Sequence, residues 1–165
     1  MQLSLLVAFD ENRLIGDGNA IPWHLPEDMK RVRLLTTGNT IVMGENTYNS
    51  IGHPLKGRKN VILSNNPDFV VEGAIVVHSK EEALEVCKND KEVFIFGGAS
   101  IYKLFLEDVT RMYITYIHEK FTHSHEAVFF PEINLTNWQL KYCKLARYNV
   151  KYKYSYNILE RVDVK

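Results

Sequence analysis

Short apolar runs recur along the chain and are separated by amphipathic or glycine-containing segments. Residues 3–9 are nearly all apolar, which is typical of a strand buried on both faces of a sheet. Further buried strands are predicted over residues 40–43, 61–64, 74–77, 92–96 and 109–118. Residues 138–147 and 151–162 instead alternate between apolar and polar positions, which predicts an antiparallel pair that closes one edge of the sheet.

Helices are predicted between several of these strands. Pro26 suits the first turn of a helix, because its missing N–H group costs nothing there, and Gly38 suits the C-cap. This helix is therefore expected to run from Pro26 to about Thr36 or Thr37. Three more helices are expected to begin near Glu45, Ser79 and Ala99. In the last of them, the side chains of Ile101, Leu104 and Phe105 are expected to face the core. The alternation predicts one α/β domain over residues 1–165, with a mostly parallel sheet flanked by four helices and an antiparallel C-terminal edge.

The segment of residues 14–21 contains two glycines and is predicted to be a loop. Its apolar side chains, Leu14, Ile15 and Ile21, would be unusual on a solvated loop. They suit a lid that folds over a ligand. The alternative, a loop that packs only on its own domain, remains open at this point.

Composition narrows the classes of function. The chain has 20 basic and 20 acidic side chains and an apolar content of 45%, which indicates neither a nucleic-acid nor a membrane partner. The N-terminal segment lacks the basic region and long apolar core of a signal peptide, so we expect a cytoplasmic location. Cys87 and Cys143 form no motif, which favours reduced thiols. No metal is expected, because no carboxylate or thiol completes a recognisable ligand set with His118, His123 and His125.

Asp28 is the side chain whose position most needs an explanation. At about 100° per residue it shares one arc of the first predicted helix, roughly 120° wide, with Met29, Val32, Leu35 and Thr36. The charged residues outside this arc are Glu27, Lys30, Arg31 and Arg33. A carboxylate on an apolar face is costly unless something binds it. A buried structural partner and a bound ligand both explain Asp28, and the specialised Pro-Trp-His-Leu-Pro segment in front of it favours the ligand.

Glycines mark the ends of two predicted strands, where ligands of open α/β sheets bind. Gly44 precedes the second helix, and Gly97 and Gly98 precede the fourth. The Gly97-Gly98 pair does not satisfy the dinucleotide fingerprint G-x-G-x-x-G, so the motif alone is weak. Two glycines before a helix nevertheless allow the backbone to approach a cofactor closely.

Residues 21–32, with the sequence IPWHLPEDMKRV, closely resemble the active-site segment of bacterial dihydrofolate reductases, P-W-x-L-P-x-D/E. The resemblance continues, in the same order, over residues 12–16, 41–44, 50–60, 94–98 and 158–161. It implies an eight-stranded mixed sheet flanked by helices. It also implies reduction of 7,8-dihydrofolate to 5,6,7,8-tetrahydrofolate, by hydride transfer from C4 of the nicotinamide of NADPH to C6 of the pterin, with water delivering the proton to N5.

Two other functions remain as alternatives. One is a folate- or antifolate-binding protein with little turnover, and the other is a related pyrimidine reductase of flavin synthesis. The partners expected from the resemblance are dihydrofolate and antifolate inhibitors, and a monomer is expected.

The resemblance also implies roles for individual residues. Asp28 would bind the 2-amino group and N3 of the pterin, supported by a hydrogen bond from Thr115, and Arg58 would pair with the α-carboxylate of the glutamate tail. The predicted catalytic set is Ile21, Trp23 and Asp28. The predicted substrate contacts are Leu6, Val7, Asp28, Met29, Val32, Ser50, Ile51, His53, Leu55, Arg58 and Thr115. The predicted cofactor contacts are Val7, Ala8, Leu14, Ile15, Gly16, Asn19, Ala20, Ile21, Gly44, Glu45, Asn46, Thr47, Leu63, Ser64, Asn65, His78, Phe96, Gly97, Gly98, Ala99, Ser100, Ile101 and Tyr102.

Three positions depart from the family pattern. Glu45 stands where relatives commonly carry an arginine that helps to neutralise the 2′-phosphate of NADPH, so NADH is a second candidate cofactor. Residues 126–128, Glu-Ala-Val, replace a Gly-Asp-Thr that normally helps to hold the lid. Val32 replaces a frequent phenylalanine and leaves more room above the substrate. Burial should raise the pKa of Asp28 and the helix N-terminus should lower it, and the sequence leaves the balance open.

Overall fold

One sheet carries most of the chain in the computed structural model, which describes residues 1–146 and 151–162. The strands in chain order are β1 (Gln2–Phe9), β2 (Leu14–Asp17), β3 (Thr40–Gly44), β4 (Lys59–Leu63), β5 (Ile75–Val77), β6 (Glu92–Gly97), β7 (Arg111–Ile117), β8 (Ala127–Phe129), β9 (Trp138–Leu145) and β10 (Tyr154–Arg161). Eight of them form the main sheet, in the order β5-β4-β3-β6-β1-β7-β10-β9. Strands β5 to β7 in this order are parallel, and β10 runs antiparallel to both of its neighbours. The predicted mixed sheet with an antiparallel C-terminal edge is confirmed, although Arg147, the predicted end of one edge strand, lies outside the described residues.

The four predicted helices are present as α1 (Pro26–Thr36), α2 (Glu45–Ile51), α3 (Lys80–Cys87) and α4 (Ala99–Phe105). Helix α1 has its proline in the first turn. Helix α3 begins with the expected capping box: Ser79 Oγ accepts a hydrogen bond from the Glu82 N–H group, and the Glu82 carboxylate accepts one from the His78 N–H group.

Helix α4 differs from its prediction at one position. Ile101 and Phe105 are buried as expected, but Leu104 is 41% exposed and Tyr102 is buried instead. The prediction for Leu104 was wrong because the tyrosine hydroxyl finds backbone acceptors in the sheet, which stabilises Tyr102 in the inward position.

The prediction of an irregular loop over residues 14–21 was wrong for residues 14–17. These form β2, which pairs with β8 in a separate two-stranded sheet. Leu14 is completely buried, so its side chain belongs to the core and not to the surface of a lid. The buried Asp10 carboxylate fixes this turn, since it accepts hydrogen bonds from the backbone N–H groups of Asn12, Leu14 and Phe121.

Candidate active site

The carboxyl ends of five parallel strands meet at one edge of the main sheet. The residues at or next to these ends are Ala8, Gly44, Ser64, Gly97 and Thr115. Helix α1 supplies one acidic side chain, that of Asp28, at this edge. The arrangement is the one in which open α/β sheets bind ligands.

Asp28 is anchored to the sheet by one short hydrogen bond. Thr115, buried on β7, donates from Oγ1 to Asp28 Oδ1 over 2.5 Å. Burial raises the pKa of Asp28 above its usual value, while the Thr115 hydrogen bond and the positive charge of Arg31 oppose the rise. Burial therefore outweighs the Thr115 hydrogen bond and the charge of Arg31, which both favour the ionised form.

The inward face of α1 was predicted correctly in part. Thr36 is buried, and Val32 and Leu35 pack against the core. Met29, however, is 62% exposed, so the prediction of an inward Met29 was wrong. Arg31, which lies outside the predicted inward arc, is half-buried, because the ring of Tyr156 on β10 lies under its guanidinium.

Arg58 lies beside the C-terminal end of α1. Its Nε donates to the Lys56 carbonyl oxygen over 3.0 Å, and its Nη1 donates to Thr36 Oγ1 over 3.3 Å. Burial and the neighbouring Arg33 lower the pKa of the Arg58 guanidinium. Arg58 forms no ion pair with a carboxylate among residues 1–146 and 151–162. Two guanidinium groups close together, neither of them ion-paired with a carboxylate in the described part of the chain, favour the binding of an anion.

The end of β6 has no space for a side chain. Gly97 has φ +113, and a Cβ atom added there would lie 3.0 Å from the Tyr102 hydroxyl oxygen. That hydroxyl donates to the carbonyl oxygens of Leu6, over 2.8 Å, and Phe96, over 3.1 Å. A side chain at Gly44, on the adjacent strand, would meet Ile101 at 3.0 Å. The two glycines thus bring bare backbone to the edge where the second and fourth helices begin.

Glu45, the first residue of α2, does not turn freely to solvent. Its carboxylate accepts a hydrogen bond from Ser64 Oγ. Ser64 Oγ in turn accepts a hydrogen bond from the Asn66 N–H group over 3.0 Å. The His78 ring lies 3.0 Å from the Ser64 carbonyl oxygen. A negative charge is therefore fixed beside the carboxyl ends of β3 and β4.

The segment after β2 is held by contacts that the sequence did not reveal. The Asp17 carboxylate accepts hydrogen bonds from the N–H group of Ser124, over 2.8 Å, and from its hydroxyl. These two bonds lower the pKa of Asp17. The Gly18 N–H group donates to the Glu126 carbonyl oxygen over 3.2 Å. The nearest signal in the sequence is an aspartate between the glycines of the predicted lid, and it does not identify the partner.

The predicted catalytic residues other than Asp28 have different surroundings. Trp23 is buried and packs on Phe121, with ring centroids 5.3 Å apart. Ile21 is 64% exposed, beyond the end of β2. Trp23 therefore also has a packing role, whereas no packing role accounts for Ile21.

The other predicted contacts fall into three groups by exposure. The buried ones are Leu6, Val7, Leu14, Gly44, Ser64, Gly97, Ile101, Tyr102 and Thr115. The half-buried ones are Ala8, Ile15, Gly16, Val32, Glu45, Thr47, Ile51, Leu55, Arg58, Leu63, Phe96, Gly98 and Ala99. The exposed ones are Asn19, Ala20, Met29, Asn46, Ser50, His53, Asn65, His78 and Ser100.

No group of three or more histidine, cysteine, aspartate or glutamate side chains is placed to hold a metal ion within residues 1–146 and 151–162. No helix in this part of the chain has the length and apolar character needed to cross a membrane.

Comparison with known proteins decides the family. The family model described as dihydrofolate reductase matches residues 2–161. The chain belongs to the dihydrofolate reductase family. Dihydrofolate reductase from Bacillus subtilis (strain 168) is 38% identical over 157 residues, which cover 95% of this chain and 92% of that protein. Dihydrofolate reductase from Staphylococcus aureus (strain N315) is 44% identical over 140 residues, which cover 85% of this chain and 84% of that protein.

A solved structure gives the same family. It is described as dihydrofolate reductase from Enterococcus faecalis complexed with NADP(H) and RAB-propyl, and it is 34% identical to this chain with a TM-score of 0.90. The match covers 98% of this chain and 97% of that dihydrofolate reductase. The comparisons favour neither of the alternatives, a low-turnover binding protein or a pyrimidine reductase.

Proposed function

We propose that this chain is an enzyme that reduces 7,8-dihydrofolate to 5,6,7,8-tetrahydrofolate with NADPH. Membership of the dihydrofolate reductase family over residues 2–161 supports the reaction, and a structural neighbour described as an NADP(H) complex supports the cofactor. The observation that carries the proposal is the half-buried Asp28 carboxylate at the ligand-binding edge of the sheet, bonded to Thr115.

The chemistry of Asp28 fits the pterin ring. Thr115 donates to one carboxylate oxygen, and a carboxylate has further lone pairs for the 2-amino group and for N3–H. Hydrogen bonds to a charged acceptor are stronger than neutral ones, so ionised Asp28 both orients the ring and polarises it. Asp28 would bind the edge of the ring remote from N5. We therefore propose that water brings the proton to N5, and Asp28 acts as a binding and polarising group.

The residues at the ends of β3 and β6 fit a dinucleotide. A Cβ atom at Gly44 or Gly97 would lie only 3.0 Å from Ile101 or Tyr102, and Gly97 has a positive φ, so glycine suits both positions. Thr47, Gly98 and the first turn of α4 are the groups proposed to hold the phosphates and the adenosine. When bound, NADPH supplies the hydride. The protein's part is to hold the nicotinamide and pterin in contact and to exclude water with the segment that follows β2.

Two finer features are part of the proposal. Arg58, without a carboxylate partner in the described part of the chain, would bind the glutamate α-carboxylate of the substrate, which suits the planar guanidinium. Glu45 would repel the 2′-phosphate and weaken the preference for NADPH over NADH. We also propose that the protein acts as a monomer in the cytoplasm and is bound by antifolate inhibitors.

A single assay tests the reaction. The purified protein is mixed with NADPH and dihydrofolate, and the oxidation of NADPH is followed by absorbance, with quenching of tryptophan fluorescence as a separate measure of binding. Oxidation that requires dihydrofolate is the expected result. Fluorescence quenching by dihydrofolate without oxidation would overturn the proposal and indicate a binding protein.

A further inference from the structure

Arg31 packs over the ring of Tyr156, and this contact, termed the seat of Arg31, was not predicted from its position on the helix surface. Its guanidinium carbon is 4.1 Å from the centroid of the Tyr156 ring, and the side chain is half-buried. Tyr156 on β10 is the register partner of Thr115 on β7, and Thr115 anchors Asp28. The seat of Arg31 and the anchor of Asp28 are therefore adjacent positions of the same sheet.

The same helix carries Arg31 and Asp28. Residues three apart on a helix lie on neighbouring parts of one face, so the two charges are close. They form no ion pair at contact distance within the described residues, and the attraction between them acts through space. Asp28 is faced by Arg31 and Thr115, and Arg31 is faced by Asp28, Tyr113, Tyr142 and Tyr156.

Seating on an aromatic ring fixes where the positive charge acts. A guanidinium over a ring is held by cation–π attraction, and it stays charged even when partly buried. A freely moving surface arginine would be screened by water and salt. Of the charged and titratable groups around Arg31, Asp28 has the largest electrostatic effect on it, whereas Glu27, four residues earlier on α1, is exposed to solvent, where its charge is screened.

We infer that Arg31 is a positioning residue for the substrate site: seated on Tyr156, its guanidinium supplies the positive charge that keeps Asp28 ionised in a buried position. The inference rests on the proposed function, in which ionised Asp28 binds the pterin. It assigns the arginine a role in the substrate site without contact with the substrate.

The chain offers matched controls. Lys30 is the exposed neighbour of Arg31 on α1, so Lys30→Gln removes the same charge from the same helix without disturbing the seat. The buried hydroxyl of Tyr156 has no hydrogen-bond partner among the described residues, so Tyr156→Phe keeps the ring and removes only that group. Arg31→Lys keeps the charge on a side chain that stacks less well.

The direct experiment is a carbon-13 NMR titration of the Asp28 carboxyl group in the free protein, assigned by its loss in Asp28→Asn. We expect Arg31→Gln to raise the midpoint by about 0.5 to 1 pH unit, since loss of a nearby cation favours the protonated form. Lys30→Gln and Tyr156→Phe should leave it within the error of the wild-type value, and Arg31→Lys should fall between. Equal midpoints for Arg31→Gln and Lys30→Gln would overturn the inference, because only net charge would then matter.

Kinetics give a second measure that a merely structural role would not move. In Arg31→Gln the KM for dihydrofolate should rise by about threefold to tenfold at acid pH, matching the titration, and should approach the wild-type value at alkaline pH. The kcat value should change much less. An elevated KM that is independent of pH would overturn the inference. Circular dichroism and thermal unfolding establish that each variant is folded.

Failure of the inference and failure of the proposed function are distinguishable. If Asp28→Asn retains full reductase activity, the function assigned to Asp28 fails. If Asp28→Asn is inactive but Arg31→Gln titrates like the wild type, Asp28 keeps its role and only the role of Arg31 fails.

Discussion

At the scale of single residues, two carboxylates at the same edge of the sheet have different surroundings. Asp28 is bonded to a buried threonine of the sheet, and burial raises its pKa. Glu45 is bonded to the Ser64 hydroxyl at the start of a helix, where negative charge is favoured. Under the proposed function, the first carboxylate would bind a neutral ring with N–H donors, and the second would oppose binding of a phosphate.

Asp28→Asn should keep the fold and lose most activity at neutral pH, because an amide lacks the negative charge that the pterin donors need. A loss of roughly 2–4 kcal/mol in transition-state binding corresponds to about 30-fold to 800-fold in kcat/KM. The wild type should lose dihydrofolate affinity as pH falls through the raised pKa of Asp28. In Asp28→Asn, this loss of dihydrofolate affinity at acid pH should be absent. Glu27→Gln, an exposed neighbour, is the control, and near wild-type turnover by Asp28→Asn would contradict the assignment.

Glu45→Arg should improve the use of NADPH selectively. A carboxylate near a phosphate repels it by on the order of 2–4 kcal/mol at contact distance and an effective dielectric near 20, and exposure to solvent reduces this figure. The ratio of kcat/KM for NADPH to that for NADH should rise in the order Glu45, Glu45→Gln, Glu45→Arg, and more steeply at low salt. An unchanged ratio in all three proteins would remove Glu45 from cofactor choice.

At the scale of elements, the small sheet of β2 and β8 holds the segment that we propose to cover the cofactor. Asp17 is the last paired residue of β2, and its carboxylate accepts hydrogen bonds from Ser124, which tie the end of β2 to the segment before β8. Residues 126–128 are Glu-Ala-Val where the family has Gly-Asp-Thr. The contact described here is instead made by Asp17 on β2 and by Ser124 in the segment before β8.

Ser124→Ala should loosen this connection, since it removes the hydroxyl donor and leaves the backbone N–H donor to Asp17. Amide hydrogen exchange over residues 14–20 should become severalfold faster, and NADPH should dissociate faster. Because Ser124 lowers the pKa of Asp17, the wild-type connection should persist above the ordinary pKa of aspartate and weaken as pH falls through the lowered value. Thr122→Ala, an exposed change in the same segment, should leave exchange unaltered; equal effects of both changes would refute a specific role for Ser124.

Local signals explain which elements the sequence could predict. Pro26 and the capping box at Ser79 act within one turn of a helix, and both helices were predicted near their observed bounds. Strands β2 and β8 were missed because strands of 4 and 3 residues show no clear period and their pairing joins distant segments. The seat of Arg31 was missed for a similar reason: a helical wheel describes α1 alone, and Tyr156 comes from the last strand.

At the scale of the whole molecule, polar contacts join neighbouring strands at the edge of the main sheet opposite the candidate site. Asp90, just before β6, accepts hydrogen bonds from Thr40 Oγ1 over 2.7 Å and from Lys59 Nζ over 3.0 Å. Burial opposes ionisation of Asp90, but these hydrogen bonds outweigh it and lower its pKa. The contact joins the starts of β3, β4 and β6.

Asp90→Asn should therefore destabilise the fold in a pH-dependent way. A carboxyl group with a lowered pKa in the folded state contributes stability above its unfolded pKa and loses it as pH falls through the folded value. We expect a loss on the order of 1 kcal/mol at neutral pH, discounted for partial exposure, and almost none at an acid pH below the lowered pKa of Asp90. Guanidinium unfolding of the wild type and the variant at both pH values measures this. Asp68→Asn, at an exposed turn, is the control, and a pH-independent loss in Asp90→Asn would exclude the linkage.

The position of β10 between β7 and β9 has a consequence for synthesis on the ribosome. Helix α1 emerges early with Asp28 and Arg31, but Thr115 and Tyr156 follow only with the seventh and tenth strands. Even β1 must wait for its two neighbours, β6 and β7. Pairing over such separations in sequence is slow, because the loops must be closed before the contacts form. We therefore expect the main sheet to close late, and the proposed pterin site to be complete only when the final strand docks.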